Sequence, residues 1–432
     1  MRPYNKPEIV RPKPKIIKVM SLTDVRDLRG KTVFVRVDLN SPTDPKTGKV
    51  DLNPRFTAHA ETVKLLAQKG AKVVVLAHQG RKGDEDCISL GGHARILSKL
   101  IGKKVLFKTD AKVVSPATIK AIRGLKPGQV MLLDNVRFLD DEAVQRTAQE
   151  HANSELVRAL APLAQVFVQD AWSNAHRAHA SMVGFATLVP SYAGPVFERE
   201  LAAAQKASGH ADHPVTYVLG GSKPEDVIKL MQYSLENMVV DKILTSGVIG
   251  EMCLIARGNQ LPAAKMEELK AAGFMHQLLA LRDLIHLHND KIETPFDFAY
   301  IDESGKRCEF LLTSLAGSPN PVYDIGTKTA RKYAKACNNS KTVFMKGPCG
   351  KYEQEAFQHG TKTVLEAIAN CKAYTLIGGG HTLTALEKFN IPKEKISFIS
   401  LAGGALLEFL QGNTLPAVAA LELSAKKFGK KA

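Results

Sequence analysis

Several patterns that identify common protein classes are missing from this chain. No stretch approaches the roughly 18 consecutive apolar residues of a membrane-spanning helix. The N-terminus is basic and interrupted by proline, and it has no apolar signal-peptide region, so we expect an irregular arm over residues 1–20 of a cytoplasmic protein. The six cysteines are scattered without a C-x-x-C pair, which argues against zinc and dithiol sites and fits a reducing compartment.

Two nucleotide-binding motifs are missing as well. The chain contains no G-x-x-x-x-G-K-[ST] loop and no G-x-G-x-x-G with a well-placed acidic residue. The first motif holds phosphates in P-loop proteins, and the second binds dinucleotides at a strand-to-helix turn. The sequence therefore argues against both of these protein classes.

Charge of one sign is in excess, with 59 lysines and arginines against 43 acidic residues and a formal net charge of +16. The basic residues are dispersed and no nucleic-acid-binding motif accompanies them, so nucleic acid is the weaker of two explanations. We favour attraction of small polyanionic substrates. Salt-dependent binding of RNA or DNA would indicate the other explanation.

Apolar, β-branched runs alternate with helical segments along the chain, and this order predicts parallel sheets built from βαβ units. The segment GPVFERELAAAQKA lies between the two halves and is typical of a helix, with Pro195 near its start. We therefore predict an α/β protein with two Rossmann-like domains joined by a hinge helix. The predicted parts are the arm (1–20), a first domain (21–190), the helix and hinge (191–212), a second domain (213–415), and a tail (416–432) that returns toward the first domain.

The predicted strands end differently in the two halves. The strands TVFVRV, KVVVLA, VMLLDN and QVFVQD of the first half lead into polar and basic residues, whereas VTYVLG, KILTSG, TVFMKG, AYTLIG and ISFIS of the second lead into or lie beside glycines. Open α/β sheets bind ligands outside the carboxyl ends of their strands. Each domain is therefore predicted to have one ligand-binding edge, with different chemistry.

The first half carries a recurring set of basic side chains after its strands. Arginine binds carboxylate and phosphate groups through two parallel hydrogen bonds, and its recurrence favours an anion-binding pocket over isolated surface residues. Asp38 and Asn40 either orient these arginines, bind substrate hydroxyls or simply cap a turn. The candidates are Arg55, His78, Arg81, Arg137, His176 and Arg177.

Five glycine-containing turns follow strands of the second half, in GGSK, TSGVIG, KGPCGKYE, GGGHT and SLAGG. Glycine lets backbone N–H groups approach phosphate at the start of a helix, although it also serves ordinary turns. Lys223 follows the first of these turns, where it would direct a positive charge into the ligand site instead of into solvent. The second half therefore favours a phosphate-binding edge.

Several motifs in one order resemble phosphoglycerate kinase. FVRVDLNSP, LAHQGR, LLDNVRF and DAWSNAHRAHASMVGF resemble the substrate half of that family, and GGSKPEDVIKLM, KGPCGKYE, IGGGHTLTALEKF and SLAGGALLEFLQGNTLPAVAAL resemble its nucleotide half. The match runs from about residue 20 to about residue 421. His381 after the triple glycine and the segment VPSYAGPVFERELAAA resemble the archaeal branch.

The resemblance implies a reversible, hinge-closing transfer of a phosphoryl group between ATP and 3-phosphoglycerate by a monomeric enzyme that uses Mg²⁺ with the nucleotide. It assigns phosphoglycerate to the domain 21–190 and nucleotide to the domain 213–415. Arg55 and Lys223 would be catalytic, and no protein ligand for the metal is assigned. The implied phosphoglycerate ligands are Asp38, Asn40, Arg55, His78, Arg81, Arg137 and Arg177, and the implied nucleotide ligands are Gly221, Lys223, Lys346, Glu353, Gly378, Gly379, Gly380, His381 and Thr382.

The second half departs from the family pattern at several positions. Lys346 stands where asparagine is usual, His381 where many members have an aspartate near the metal, and the remaining departures are Thr245, Ser246, Val227, Leu401 and Ala402. We expect the Lys346 charge to compensate for lost phosphate hydrogen bonds, and we expect the Ala402 Cβ to block a backbone conformation with positive φ. The alternative function is a kinase-like binding or regulatory protein with impaired nucleotide handling.

Overall fold

The computed structural model describes residues 17–44, 47, 49–108, 112–314 and 322–429. Most of the predicted basic arm lies outside these ranges. The described residues divide into two compact units, one with residues 17–202 and 413–429 (the N-terminal unit), and one with described residues from Ala203 to Gly412 (the C-terminal unit). In the described part of the chain, no helix has both the length and the apolar character needed to cross a membrane.

The N-terminal unit is built on a six-stranded parallel sheet with the order β3-β4-β2-β1-β5-β6. Its central strands are almost wholly buried, as expected when helices cover both faces of a parallel sheet. The strands are β1 Thr32–Arg36, β2 Lys72–Leu76, β3 Val105–Leu106, β4 Val130–Leu132, β5 Val166–Gln169 and β6 Ser191–Ala193.

The helices of this unit connect successive strands. The longest begins at Pro54, where Asn53 caps it by accepting a hydrogen bond from the Phe56 N–H. They are α1 Pro54–Gln68, α2 Gly91–Ile101, α3 Pro116–Arg123, α4 Ala148–His151, α5 Glu155–Leu160, α6 Ala180–Val183 and α7 Pro195–Lys206. The predicted inter-domain helix is α7, and the division between the two units falls within it.

The C-terminal unit contains a second six-stranded parallel sheet, with the order β15-β14-β13-β7-β8-β9. A separate antiparallel sheet, β11-β10-β12, was not predicted from the sequence. The strands are β7 Val215–Leu219, β8 Lys242–Thr245, β9 Ile292–Glu293, β10 Asp297–Ile301, β11 Arg307–Leu311, β12 Asp324–Ile325, β13 Thr342–Lys346, β14 Tyr374–Gly378 and β15 Phe398–Ile399.

Helices again follow most strands of the parallel sheet in this unit. They are α8 Pro224–Glu236, α9 Gly247–Ala256, α10 Ala263–Ala271, α11 Leu278–Leu287, α12 Thr327–Asn338, α13 His359–Asn370, α14 Gly380–Lys388 and α15 Gly404–Leu410. All nine predicted strands are present, and the predicted α/β class with two parallel sheets is confirmed.

The last helix, α16 Pro416–Phe428, belongs to the N-terminal unit. The Ser424 hydroxyl accepts a hydrogen bond from the Ser191 N–H at 2.9 Å, and the Ala417 N–H donates to the Ala175 carbonyl at 3.1 Å. These bonds fix the C-terminal segment to β6 and to the loop after β5. The ligands that each domain binds stay a prediction at this point.

Candidate active site

The sheet order of the N-terminal unit brings the predicted anion-binding loops together. Strands β4, β2, β1 and β5 are neighbours and parallel, so the loops after them leave the same edge of the sheet. Asp38 follows β1, His78 follows β2, Arg137 follows β4, and Arg177 follows β5. We call the cluster that these loops form the anion pocket.

Asp38 holds Arg55 at this edge. The Asp38 carboxylate is 1% exposed, and its Oδ2 accepts from Arg55 Nη1 at 2.8 Å and from the Ser173 hydroxyl. Burial acts to raise the pKa of Asp38, but the neighbouring Arg55 charge and the Ser173 hydrogen bond hold it below its ordinary value. Asp38 is therefore an anion that orients Arg55, whose side chain is 36% exposed and free to meet a ligand.

The other arginines of the anion pocket lie close enough to one another for their charges to interact. Burial, together with repulsion from Arg177 and Arg36, lowers the pKa of Arg137 to about 10. Burial and the neighbouring Arg36 charge also keep the pKa of His78 well below its ordinary value, so this imidazole is neutral near pH 7. Such crowding of positive charge is relieved when an anion binds.

The other predicted residues of this edge have different surroundings. Asn40 Oδ1 accepts from the Gly80 N–H at 2.9 Å, which ties the loop after β1 to the loop after β2. Arg81 is exposed. Burial is the main cause that lowers the pKa of Arg177, and the charge of Arg81 lowers it as well. His176 is half-buried beside them. Asn40 therefore shapes the pocket, while Arg81 and Arg177 supply charge.

A buried network beneath the anion pocket was missed by the sequence analysis. Arg36 is 1% exposed; its Nε donates to the Ser181 hydroxyl at 2.8 Å, and its Nη2 lies 3.1 Å from His78 Nδ1. Ser181 in turn donates to both oxygens of Glu142, through its hydroxyl at 2.6 Å and its N–H at 2.8 Å. Burial raises the pKa of Glu142 to about 7 against the opposing charge of Arg36. The one signal in the sequence for this network was Arg36, an arginine within the apolar run FVRV.

The C-terminal unit has a cavity of ≈ 540 Å³ at the edge where its glycine-containing turns lie. The four turns after β7, β8, β13 and β14 and the two glycines that begin α15 all reach its wall. Of the predicted nucleotide ligands, its lining includes Gly221, Lys223, Lys346, Glu353, Gly379, Gly380, His381 and Thr382. Gly221 and Gly379 have φ of 86° and 94°, so only glycine adopts these turns without strain.

Two of the lysines that line this cavity, Lys223 and Lys346, were predicted to bind the nucleotide. Lys346 lies at the end of β13, and Lys223 directly precedes α8. Burial lowers the pKa of Lys346; Asp226 opposes this effect, and Lys223 adds to it. The two ammonium groups therefore repel each other, as expected of a site that binds a strongly anionic group.

Three predicted residues around the glycine turn after β14 differ in their roles. Thr382 Oγ1 accepts from the Gly347 N–H at 2.9 Å and so joins two of the turns. His381 Nδ1 lies 3.8 Å from Glu353 Oε1. Gly378 does not line the cavity; a Cβ there would approach Leu406 Cδ2 to 2.8 Å, so this glycine allows close packing of α15 instead.

Ala402 does not adopt a positive φ, the conformation that its Cβ was expected to block. Among the described residues other than glycine, only Met238 and Asn390 have positive φ, so Ala402 keeps an ordinary backbone conformation. It is 2% exposed, and neither it nor Leu401 lines the cavity, whereas Gly403 and Gly404 do. The altered residues of SLAGG therefore lie outside the cavity wall.

The cavity also contains acidic residues that the sequence analysis missed. Asp324 is 4% exposed and accepts from the Gly360 N–H at 2.9 Å and from Arg307 Nη1 at 3.2 Å. Burial raises its pKa to about 7 despite these partners. Asp226, beside Lys346, and Glu251, on α9, line other parts of the wall. No sequence motif distinguished these carboxylates from surface residues.

Comparison with known proteins identifies the family. A family model described as phosphoglycerate kinase matches residues 22–413. The phosphoglycerate kinase of Sulfurisphaera tokodaii is 39% identical over 399 residues, which cover 92% of this chain and 94% of the relative. The phosphoglycerate kinase of Methanothermobacter thermautotrophicus is 39% identical over 412 residues, which cover 95% and 98%.

Solved structures agree with these relatives. The phosphoglycerate kinase from Pyrococcus horikoshii matches with a TM-score of 0.85 at 35% identity, and the match covers 95% of this chain and 100% of that chain. The one from Coxiella burnetii matches with a TM-score of 0.80 at 31% identity, over 96% and 100%. The resemblance found in the sequence is confirmed: the chain belongs to the phosphoglycerate kinase family.

Proposed function

We propose that this protein transfers a phosphoryl group reversibly between ATP and 3-phosphoglycerate, giving ADP and 1,3-bisphosphoglycerate. The observation that carries the proposal is the pair of strand-end sites, one crowded with arginine and one lined by glycine turns and lysine. The first suits a small carboxylate and phosphate, and the second suits a nucleotide.

In the N-terminal unit, phosphoglycerate binds to the anion pocket. Arg137, Arg177 and Arg81 neutralise its phosphate and carboxylate, and His78 and Asn40 contribute hydrogen bonds. Asp38 holds Arg55 through a 2.8 Å contact, so that the guanidinium is already oriented before substrate arrives. Support for this assignment comes from the unrelieved positive charge of the pocket, which an anionic ligand would balance.

In the C-terminal unit, ATP occupies the ≈ 540 Å³ cavity. Its phosphates lie against the turns that contain Gly221 and Gly379–Gly380, near the N-terminal ends of α8 and α14, where backbone N–H groups and the helix dipole attract anions. Lys223 and Lys346 add charge, Thr382 fixes two turns relative to each other, and Glu353, with His381 beside it, binds the ribose. Gly378 supports the loop through packing.

The chemistry needs little more than alignment and charge neutralisation. The acceptor carboxylate is ionised near neutral pH, so its oxygen attacks the γ-phosphorus without a general base. A bond forms between that oxygen and phosphorus as the bond to the β-phosphate oxygen breaks, and ADP leaves. Arg55 and Lys223 stabilise the charge on the transferred group, and closure about the hinge excludes water.

Mg²⁺ arrives with the nucleotide and neutralises phosphate charge. Among the described residues, no group of three or more His, Cys, Asp or Glu forms a metal cage. A nucleotide-bound Mg²⁺ needs only one or two carboxylates, since phosphates and water supply the rest. Asp226 lines the cavity close to Lys346 and is the carboxylate that would hold the ion.

The alternative of a binding or regulatory protein has no observation in its favour. It was motivated by the altered nucleotide loops, but Leu401 and Ala402 lie outside the cavity lining, and Lys346 adds a cation within it. A cytoplasmic location, a monomeric state and the absence of nucleic-acid partners stay predictions.

A coupled assay with ATP, Mg²⁺ and 3-phosphoglycerate tests the proposal. We expect turnover that requires both substrates and that falls sharply in Arg55→Ala. Arg158→Ala, an exposed arginine on α5 of the same unit, is the matched control and should keep the wild-type rate. Absence of turnover in the folded wild-type protein, with ATP still binding, would favour the non-enzymatic alternative.

A further inference from the structure

The antiparallel sheet of the C-terminal unit contacts a loop of the nucleotide cavity. We call residues 350–360, which follow β13 and extend into the first turn of α13, the Glu353 loop. Glu353 lines the cavity, and its carboxylate is the proposed ribose ligand. Two charged residues of the sheet, Arg307 on β11 and Asp324 on β12, touch this loop, and neither belongs to the predicted ligand set.

Asp324 holds both ends of the Glu353 loop. Its carboxylate is buried, and its Oδ2 accepts from the Gly360 N–H at 2.9 Å. A Cβ at Gly350 would approach Asp324 Oδ1 to 2.5 Å, and a Cβ at Gly360 would approach the same atom to 2.4 Å. Both glycines therefore let the chain pass directly beside this carboxylate, and the two ends of the loop meet at one buried charge.

Arg307 connects that charge to the middle of the loop. Its Nη1 donates to Asp324 Oδ2 at 3.2 Å and to the Ala356 carbonyl at 2.6 Å. Its Nη2 donates to Glu309 Oε1 at 2.7 Å, which orients the guanidinium from the side of β11. The donors of a guanidinium lie in one plane at fixed angles, so this group sets the distance between the sheet and the loop backbone.

The position of the Glu353 carboxylate depends on the path of that backbone. The side chain is 58% exposed, and its Oε1 lies 3.8 Å from His381 Nδ1, which is too long for a hydrogen bond. Tyr352, which also contacts the carboxylate, belongs to the loop itself. The Glu353 carbonyl accepts from Lys388 Nζ at 2.7 Å, so α14 holds the loop from the other side. The contacts made by Arg307 and Lys388 therefore determine where the carboxylate lies.

We propose that Arg307 and Asp324 are positioning residues that hold Glu353 where it accepts hydrogen bonds from the ribose hydroxyls of the nucleotide. This rests on the proposed function, which assigns the ribose to Glu353. Hydrogen bonds between hydroxyls and a carboxylate need O···O distances of roughly 2.7 Å, so a loop shift of about 1 Å removes most of their gain. The contribution of the hydroxyls, and not that of the base or phosphates, should therefore be lost without Arg307.

The test compares two nucleotides that differ only in the ribose hydroxyls. Calorimetry would measure the affinity of ADP and of 2′,3′-dideoxyadenosine 5′-diphosphate, which lacks both hydroxyls. Titrations are done at pH 8, because burial raises the pKa of Asp324 to about 7 despite the Gly360 N–H and the charge of Arg307. We expect wild-type protein to prefer ADP roughly 10- to 100-fold, the range for hydrogen bonds to a charged group.

Three variants separate positioning from general effects. Arg307→Met removes the guanidinium; it should lower the ADP preference to less than about threefold and keep the affinity for the dideoxy nucleotide within about twofold. Asp324→Asn keeps an acceptor for the Gly360 N–H but not the charge that holds Arg307; it should lower the preference in part, which covers the case in which the methionine variant does not fold. Arg257→Met is the matched control and should keep the wild-type preference, since Arg257 donates to the Ile292 carbonyl in the same unit, outside the cavity lining.

A double-mutant cycle identifies the residue through which Arg307 acts. Glu353→Ala should abolish the preference for ADP, and Arg307→Met added to it should change neither affinity further. A further fall in the affinity for either nucleotide would show that Arg307 acts through another part of the site and would overturn the inference.

The outcomes also distinguish this inference from the proposed function. An unchanged ADP preference in both Arg307→Met and Asp324→Asn overturns the inference and leaves the kinase assignment intact. An equal loss of affinity for both nucleotides does the same, because a purely structural role gives that result. Equal binding of the two nucleotides by wild-type protein removes the ribose from Glu353 and the inference with it. Failure of the folded wild-type protein to bind either nucleotide overturns the nucleotide site itself.

Discussion

Replacing Glu142 by glutamine should change how the stability of the N-terminal unit depends on pH. Glu142 is fully buried beneath the anion pocket and accepts two hydrogen bonds from Ser181. Glutamine has the same shape and resembles the protonated acid: its carbonyl accepts from the Ser181 N–H, while its amide group faces the hydroxyl. The variant is therefore expected to fold.

The size of the expected change in unfolding free energy follows from the pKa of the Glu142 carboxyl. Burial raises it from 4.5 to about 7, which corresponds to about 3 kcal/mol of unfolding free energy. An acid with a raised pKa binds more protons when folded, so its stabilising effect is present below pH 4.5 and lost as the pH rises through 7. Glutamine does not ionise. Relative to wild-type protein, Glu142→Gln should gain about 3 kcal/mol between acidic conditions and pH 8.

Trp172 provides a specific signal for the measurement. It is the only tryptophan of the chain, is 1% exposed, and packs on Phe197 within the N-terminal unit. Its fluorescence in urea titrations at several pH values therefore reports unfolding of this unit. Glu61→Gln, at an exposed position of α1, is the matched control. A stability difference between Glu142→Gln and wild-type protein that stays constant from pH 5 to pH 8 would refute the reasoning.

Four further predictions concern the ligand sites. Arg177→Ala should weaken 3-phosphoglycerate binding roughly 10- to 100-fold by calorimetry, since a charge-assisted contact is lost, and should leave ADP binding unchanged; equal acid affinity would remove Arg177 from the site. Lys223→Ala should lower kcat much more than it raises either KM, because its charge acts on the moving phosphoryl group; a change confined to KM would contradict this role. Lys346→Asn should weaken ADP binding roughly 10-fold and reduce its dependence on salt, with Lys346→Arg as the charge-conserving control; an unchanged salt dependence would exclude charge compensation. Ala402→Gly should leave ADP affinity within about twofold, because this residue is outside the cavity lining and has no positive φ; marked tightening would show that the loop contacts nucleotide.

The parts of the fold that depend on local sequence were predictable. A buried parallel strand is a short apolar run wherever it lies in the sheet, so nine strands were recognised: β1, β2, β4, β5, β7, β8, β13, β14 and β15. The antiparallel sheet of β10, β11 and β12 was missed, because β11 has no buried residue and reads as the mixed segment RCEFL. Its strands lack the clear pattern of either a buried or a half-buried strand.

The candidate site was predictable where its residues follow strands directly. Glu142 and Ser181 were missed because their importance depends on partners far away in the chain: Arg36 and Ser181 are 145 residues apart. The pairing of Glu251 with Lys265 likewise depends on how α10 packs near α9. The position of Ala402 outside the cavity lining was unpredictable for a related reason, since a residue type indicates which φ it avoids but not where the fold places it.

The proposed reaction moves a phosphoryl group from ATP to the carboxylate of 3-phosphoglycerate. Hydroxylamine traps an acyl phosphate as a hydroxamate, so the direct measurement is hydroxamate formed by the purified protein with ATP, Mg²⁺ and 3-phosphoglycerate. We expect hydroxamate and ADP in equal amounts, no product when either substrate is omitted, and a large loss in Arg55→Ala. ADP formed without hydroxamate, or no product from folded protein that binds both substrates, would contradict it.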